Sequence, residues 1–213
     1  MLILAVYKTI LFITFITGLL LKNRVSFEIP YFLMFLGITN LLDVFSGSIL
    51  TYLQLYNTWI YNLLILIQVP YFIWLFVDYL ISIGYSDRLK KLVWIVTWIS
   101  IFNFMFFQGP NHVNNFSYLL GMSVLTVLII KYYYNLLAND SSKSLFGLPL
   151  FWLSIGILIF FTASFPILAY LNIIIDSNSL LTDPLYDLVG IGNIFLSLSY
   201  LMVVLCPLMI PKS

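Results

Sequence analysis

An amide and a carboxylate one helical turn apart, Asn40 and Asp43, stand in Gly37-Ile38-Thr39-Asn40-Leu41-Leu42-Asp43, within a segment otherwise fit for lipid. A charge at such depth is costly to insert and marks a functional site by default. The spacing of three puts both side chains on one helix face, and Gly47 continues that stripe. Two kinds of role fit: an ion, proton or ligand site, or interhelical glue, because membrane helices use Asn and Asp to hydrogen-bond across interfaces. Lys8 lies at a matching depth in the preceding apolar segment, so an ion pair from Lys8 to Asp43 would satisfy both charges.

Further along, Gln68 stands beside Pro70, whose missing N–H frees the carbonyl of Leu66 and offers a ligand contact next to an amide. Asp78 and Lys131 fall at similar depths near helix ends, where they either pair or snorkel to the headgroups. In the last apolar segment Gly190, Asn193, Ser197 and Tyr200 recur at helical spacing and form a polar stripe. If that stripe looks inward, Asn40, Asp43, Gln68, Asn193 and Ser197 line one small polar pocket. The alternative is that these small and polar residues serve packing.

Other chemistries fail on residue type. A retinal Schiff base needs a lysine in the last helix, and residues 186–206 contain none. A serine hydrolase needs a base, but the one histidine, His112, falls in a loop and no Gly-x-Ser-x-Gly occurs. One histidine and one cysteine, Cys206, make no metal centre of the usual kinds and no internal disulfide. Tyr186-Asp187 and Gly190-Ile191-Gly192-Asn193 resemble the Tyr-Asp and Gly-x-Gly-Asp signatures of intramembrane aspartyl proteases. Both lie in one helix, however, and Asn193 removes the second carboxylate. Asn115-Phe116-Ser117 fits a glycosylation sequon, a short pattern common by chance. Cys206 near a helix end is either a palmitoylation site or an ordinary apolar membrane cysteine. No catalytic set, metal or cofactor is expected, and the balance is against an enzyme.

The elements that must hold these residues are set by composition. Of 213 residues 62% are hydrophobic, 18% aromatic and 8% charged, and the mean hydropathy is +1.07. A soluble surface needs far more charge, so the chain is expected to be an integral membrane protein whose partner is the lipid bilayer. Its net charge of +1 supplies no field for nucleic acid. With about 20 residues per crossing, hydropathy predicts seven transmembrane helices, over 3–21, 30–53, 58–83, 92–108, 117–137, 150–173 and 186–206. The first reads as a retained helix, lacking a basic start and a small-residue cleavage pattern. Intervening segments are too short for a soluble core, so the expected fold is all-α, one polytopic bundle over 1–213.

Lys22, Arg24, Arg88, Lys90, Lys91, Lys131, Lys143 and Lys212 fall on one side, whereas 54–57, 109–116 and 176–185 carry no Lys or Arg. The positive-inside rule then puts the N-terminus outside and the C-terminus inside. Tyr56, Trp59 and Tyr61 at one interface, and Trp94 with Tyr132 to Tyr134 at the other, fit aromatic belts.

Tyr61-Asn62 with Gln68 six residues on echoes Tyr186-Asp187 with Asn193, and Gly37-Ile38 echoes Gly156-Ile157. Such an echo would make a three-one-three repeat about the fourth helix; chance similarity between Leu- and Ile-rich helices is the favoured account. Pro149-Leu150-Phe151-Trp152-Leu153-Ser154-Ile155-Gly156-Ile157-Leu158-Ile159-Phe160-Phe161, followed by a last helix that opens with small residues and Asn193, resembles seven-helix membrane proteins of Bacteroidetes-type bacteria. Members often carry Glu near Gln68, a charge this chain lacks. The resemblance implies the fold over the whole chain and no settled activity. The leading expectation is a small sensory or ligand-binding membrane module that signals through a cytoplasmic partner at the basic loops. The alternative is a small transporter or proton-coupled permease built on the repeat and Asp43. A lipid-modifying enzyme using Asp43 and Asp78 is weaker, because their depths differ.

Overall fold

The computed structural model describes residues 2–22, 29, 31–53, 58–110, 112–138, 145–176 and 182–209, with side chains in those ranges except 46–48, 51, 170–186 and 209. Arg24, Lys143, Lys212, Tyr56 and the segment 54–57 lie outside the described residues, as do the side chains of Gly47 and Tyr186.

All described elements are helical. They are α1 (Leu2–Leu21), α2 (Phe32–Thr39), a π-helical segment (Asn40–Gly47), α3 (Ser48–Tyr52), α4 (Thr58–Ser82), α5 (Lys90–Asn103) continued by a second π-helical segment (Phe104–Gln108), α6 (Asn115–Ala138), α7 (Pro149–Asp176) and α8 (Thr182–Met209). Two 3₁₀ turns, Asp87–Leu89 and Leu145–Gly147, lead into α5 and α7; the start of the first is capped by Ser86 Oγ, which accepts from the Arg88 N–H at 3.3 Å. Pro149 opens α7 at the first helical position, where no backbone donor is needed. Pro70 and Pro166 are both contained within continuous helices, α4 and α7.

Six helices are long and apolar enough to cross a membrane: Leu2–Leu21, Thr58–Ser82, Asp87–Gln108, Asn115–Ala138, Pro149–Ala169 and Asp187–Leu208. The chain is therefore a helical multi-pass membrane protein. Helix ends generally run past the expected ones, to Asp176 rather than 173 and from Thr182 rather than 186, for example. Hydropathy marks the hydrocarbon layer, and the backbone ladder continues into the headgroup region beyond it. The expected uninterrupted helix over 30–53 is the main departure. It is an α–π–α helix whose apolar stretch, Phe32–Phe45, is shorter than the other spans.

Two compact units partition the chain, one holding Met1–Phe45 with Ser142–Ser213, the other Ser46–Ser141. In the first, α1 runs antiparallel to α2. A Cβ on Gly18 would strike Leu33, one on Gly37 would meet Phe15 at 3.3 Å, and Asn40 reaches the Leu11 carbonyl at 3.4 Å. Each step along α1 is thus matched by a step back along α2. Helix α8 runs parallel to α1, since Gly190 abuts Ile3 and Val204 lies against Gly18. Phe32 and Phe35 pack edge-on against Tyr200, both at 5.8 Å between ring centroids. Helices α7 and α8 meet where Gly156 leaves no room for a side chain beside Ser199, and Gly192 none beside Phe160. Such small-residue contacts let membrane helices approach closely, which is what drives association where lipid removes the hydrophobic term.

The second unit packs α4, α5 and α6. Val69 fills the space over Gly121, and Tyr132 meets Phe76 and Tyr79 edge-on at 5.7 and 4.9 Å. Trp94, Trp98, Phe102 and Phe106 on α5 are exposed. In lipid that apolar surface is solvated by acyl chains.

Candidate functional site

The first unit holds a charged cluster in its interior. Tyr7 and Lys8 on α1 face the π-helical segment, where the Tyr7 hydroxyl donates to Asp43 Oδ1 at 3.0 Å. Lys8 Nζ donates to the Asp43 backbone carbonyl at 3.1 Å and stands 3.7 Å from Asp43 Oδ1. The two charged side chains are only 10% and 11% exposed. The ammonium is therefore seated on the backbone, with the carboxylate beyond hydrogen-bond length of it. The local fold accounts for this. A π-helical turn shifts the ladder from i+4 to i+5 and is frequent at functional sites; here it coincides with the carbonyl that takes the lysine.

One turn away, Asn40 Nδ2 donates to the Leu36 carbonyl of its own helix at 2.9 Å and to the Leu11 carbonyl of α1 at 3.4 Å. Its Oδ1 is buried with no hydrogen-bond partner among the described residues. Helix α1 presents Tyr7, Lys8, Leu11, Thr14 and Gly18 as its buried face, so two charged or polar contacts and one close backbone approach all fall on a single stripe.

Ser197 is buried and Asn193 half-buried on α8. The parallel register of α1 and α8, pinned at Ile3 with Gly190 and at Gly18 with Val204, puts Asn193 level with Tyr7 and Ser197 level with Leu11. Four of the five residues expected to line a pocket, Asn40, Asp43, Asn193 and Ser197, thus belong to one compact unit and to two adjacent layers of it. Gln68 is half-buried on α4 and belongs to the other unit.

Lys131 does not pair with Asp78. Its ammonium lies over the Tyr85 ring, 5.8 Å from the centroid, and Asp78 is exposed. Asn135 on the next turn of α6 donates to the Tyr85 hydroxyl at 3.1 Å, which fixes the ring under the cation. A cation over an aromatic face gains without the desolvation a buried carboxylate pair would require.

The second unit contains an amide network that sequence reasoning missed. Asn62 on α4 bridges the segment ahead of α6, donating from Nδ2 to the His112 carbonyl at 2.9 Å and accepting the Asn114 N–H on Oδ1 at 2.7 Å. Asn114 Nδ2 donates to the Ser100 carbonyl at 3.2 Å. Asn103 Nδ2 faces Gln108 Oε1 at 2.6 Å, Asn114 Oδ1, and Ser117 Oγ at 3.1 Å; Gln108 Nε2 donates to Asn115 Oδ1. Asn62 and Asn114 are fully buried. Five side-chain amides about the Gly109-Pro110 turn, Asn103 and Gln108 before it and Asn111, Asn114 and Asn115 after it, were the available signal. The network holds Asn115 inside, at 3% exposure, so the sequon at Asn115-Phe116-Ser117 is not presented. His112 contributes only its carbonyl, and its side chain is exposed.

Cys206 is buried, its Sγ 3.4 Å from the Phe146 carbonyl, a packed position rather than an open acylation site. No group of three or more His, Cys, Asp or Glu able to hold a metal occurs among the described residues. Comparison with protein-family models, with curated proteins and with solved structures found no match.

Proposed function

We propose that the protein is a small ligand-binding or sensory membrane module whose recognition site is the charged cluster of the first unit, Tyr7, Lys8, Asn40 and Asp43, with Asn193 and Ser197 at the same levels. The observation that carries this reading is the polar set itself: two charges, a phenol and an amide whose oxygen has no partner among the described residues, all buried in an apolar unit. Opposite charges a few ångströms apart suit a dipolar head, and the rings of Phe32, Phe35 and Tyr200 further along α2 and α8 suit an apolar body. An amphipathic molecule entering from the lipid combines the two. The charge of Lys22, Arg88, Lys90 and Lys91 supports an N-out, C-in arrangement in a bacterial inner membrane, with a cytoplasmic partner at these basic residues. In this reading residues 1–213 are one transmembrane domain of the kind that Pro149 to Phe161 resembles, seven-helix proteins of Bacteroidetes-type bacteria.

Thermal unfolding of the purified chain in detergent, against a panel of amphipathic molecules, tests the proposal. A compound that raises the wild-type midpoint but not that of Asp43→Asn supports it; equal shifts in both, or none across the panel, refute it. The transporter reading draws on Asp43 and Lys8, a compensated pair of the kind that proton-coupled carriers break and remake. Its three-one-three repeat gains nothing from the grouping of helices, in which α7 and α8 join α1 and α2. Proton or solute flux in liposomes, present in wild type and lost in Asp43→Asn, would favour it.

A further inference from the structure

The π-helical segment Asn40–Gly47 carries, at the charged cluster, a backbone carbonyl, a carboxylate and an amide oxygen. The Asp43 backbone carbonyl is bonded to a lysine side chain. The Asp43 carboxylate carries a phenol on Oδ1 but holds the lysine only at 3.7 Å. Asn40, 1% exposed, turns its amide nitrogen to two backbone carbonyls and leaves Oδ1 buried without a partner among the described residues. Swapping the amide's ends would set Oδ1 against those two carbonyls, so the observed orientation is the one the hydrogen bonds require. An oxygen so placed needs a proton donor or a cation.

Backbone carbonyls of discontinuous transmembrane helices coordinate alkali cations; here the Asp43 carbonyl already accepts a cationic donor, the Lys8 ammonium, at 3.1 Å. One carboxylate and neutral oxygens match a single positive charge, whereas calcium or magnesium sites recruit more oxygens, including further carboxylates or waters. That single charge is now supplied by Lys8. The ammonium bonds the Asp43 carbonyl at 3.1 Å and stands 3.7 Å from the carboxylate, longer than the about 2.7–2.9 Å of a charge-assisted N–H to carboxylate bond. Lys8 also stands near the start of α1, which begins at Leu2; the separation is about 9 Å along the helix axis at 1.5 Å per residue. A lysine stem spans much of that distance and carries its charge toward the headgroups.

We propose that Asp43 and Asn40, with the Asp43 carbonyl, form a site for a monovalent alkali cation, and that the Lys8 ammonium is its tethered occupant, displaced toward the start of α1 when the cation binds. Charge is conserved in the site, one cation replacing another. The inference goes beyond the ligand-binding reading and stands without it, because cation binding requires no amphipathic molecule.

The test uses the full purified chain in detergent with sodium, potassium or choline chloride at matched ionic strength and no other ligand. Removing the lysine charge with Lys8→Met leaves Asp43 uncompensated, so this variant is destabilised in choline. Sodium or potassium then restores it, the midpoint rising with the logarithm of cation concentration, by roughly 5–10 °C at a hundredfold excess over the dissociation constant. The cation that acts at lower concentration is the preferred one. Lys8→Met/Asn40→Ala requires more cation for the same shift, and Lys8→Met/Asp43→Asn gives none. A Lys8→Met chain that melts alike in all three salts, or is unfolded in all three, overturns the proposal. Wild type provides an independent readout: amine acylation at Lys8, followed by peptide mass spectrometry, increases with the alkali cation and not with choline. Labelling equal in the three salts overturns the exchange.

Discussion

Tyr7 is the residue whose role was least visible in advance and whose loss should be among the easiest to read. Its hydroxyl donates to the Asp43 carboxylate at 3.0 Å, and a hydrogen bond to a charged group contributes about 1.5–3 kcal/mol. Tyr7→Phe removes that donor and keeps the ring, so a loss in this range is expected in detergent unfolding, with the helical circular dichroism of the folded state unchanged. Asn62 makes a parallel case in the other unit. It satisfies one backbone donor and one backbone acceptor, at Asn114 and His112, each costing about 1–3 kcal/mol if left buried and unmet. Asn62→Ala should therefore destabilise more than Tyr7→Phe, and amide exchange at Asn114 should accelerate before the rest of the unit opens. Asn62→Gln should not rescue it, because the extra methylene moves both ends of the amide.

At the scale of elements, glycines set how near the helices come. Gly156 faces Ser199 and the backbone of Leu196 without space for a Cβ. Gly156→Leu must push α7 away from α8, and with lipid as solvent nothing hydrophobic pulls them back. Loss of the folded state, read as aggregation in size-exclusion chromatography, is the expected outcome. Gly84, which adopts a positive φ of 102° after α4 and has nothing near its Cβ position, differs in kind: Gly84→Ala meets a conformational penalty rather than a clash and should cost about 1–3 kcal/mol. The two π-helical segments are a further feature at this scale. Each coincides with one polar cluster, Asn40–Gly47 with Asp43 and Phe104–Gln108 with Asn103 and Gln108, which accords with the association of such segments with functional positions.

For the whole molecule the open question with the clearest readout is threading. Cys206 is the one cysteine in the chain, so Cys206→Ser provides a background for single-cysteine mapping. With the N-terminus outside, His112→Cys should react with a membrane-impermeant maleimide in intact cells, and Ser86→Cys only after permeabilisation. The reverse pattern would invert the topology and move the basic residues Arg88, Lys90 and Lys91 to the outside, against the positive-inside rule.

What the sequence determined by itself was the class of protein and most of its spans, because hydrocarbon tolerates only long apolar helices and composition records that directly. It also marked Asn40, Asp43 and Lys8, since a polar group is conspicuous in such segments. It did not reveal the break in α2, for π and α segments share the same apolar composition and differ only in which carbonyl each N–H meets. Nor did it show that Tyr7 serves Asp43, that Lys131 lies over Tyr85, or that Asn62 closes on Asn114 across 52 residues. Those partnerships depend on helix register and rotation, which a uniform apolar surface leaves free and which packing of Gly18, Gly121 and Gly156 against their neighbours decides.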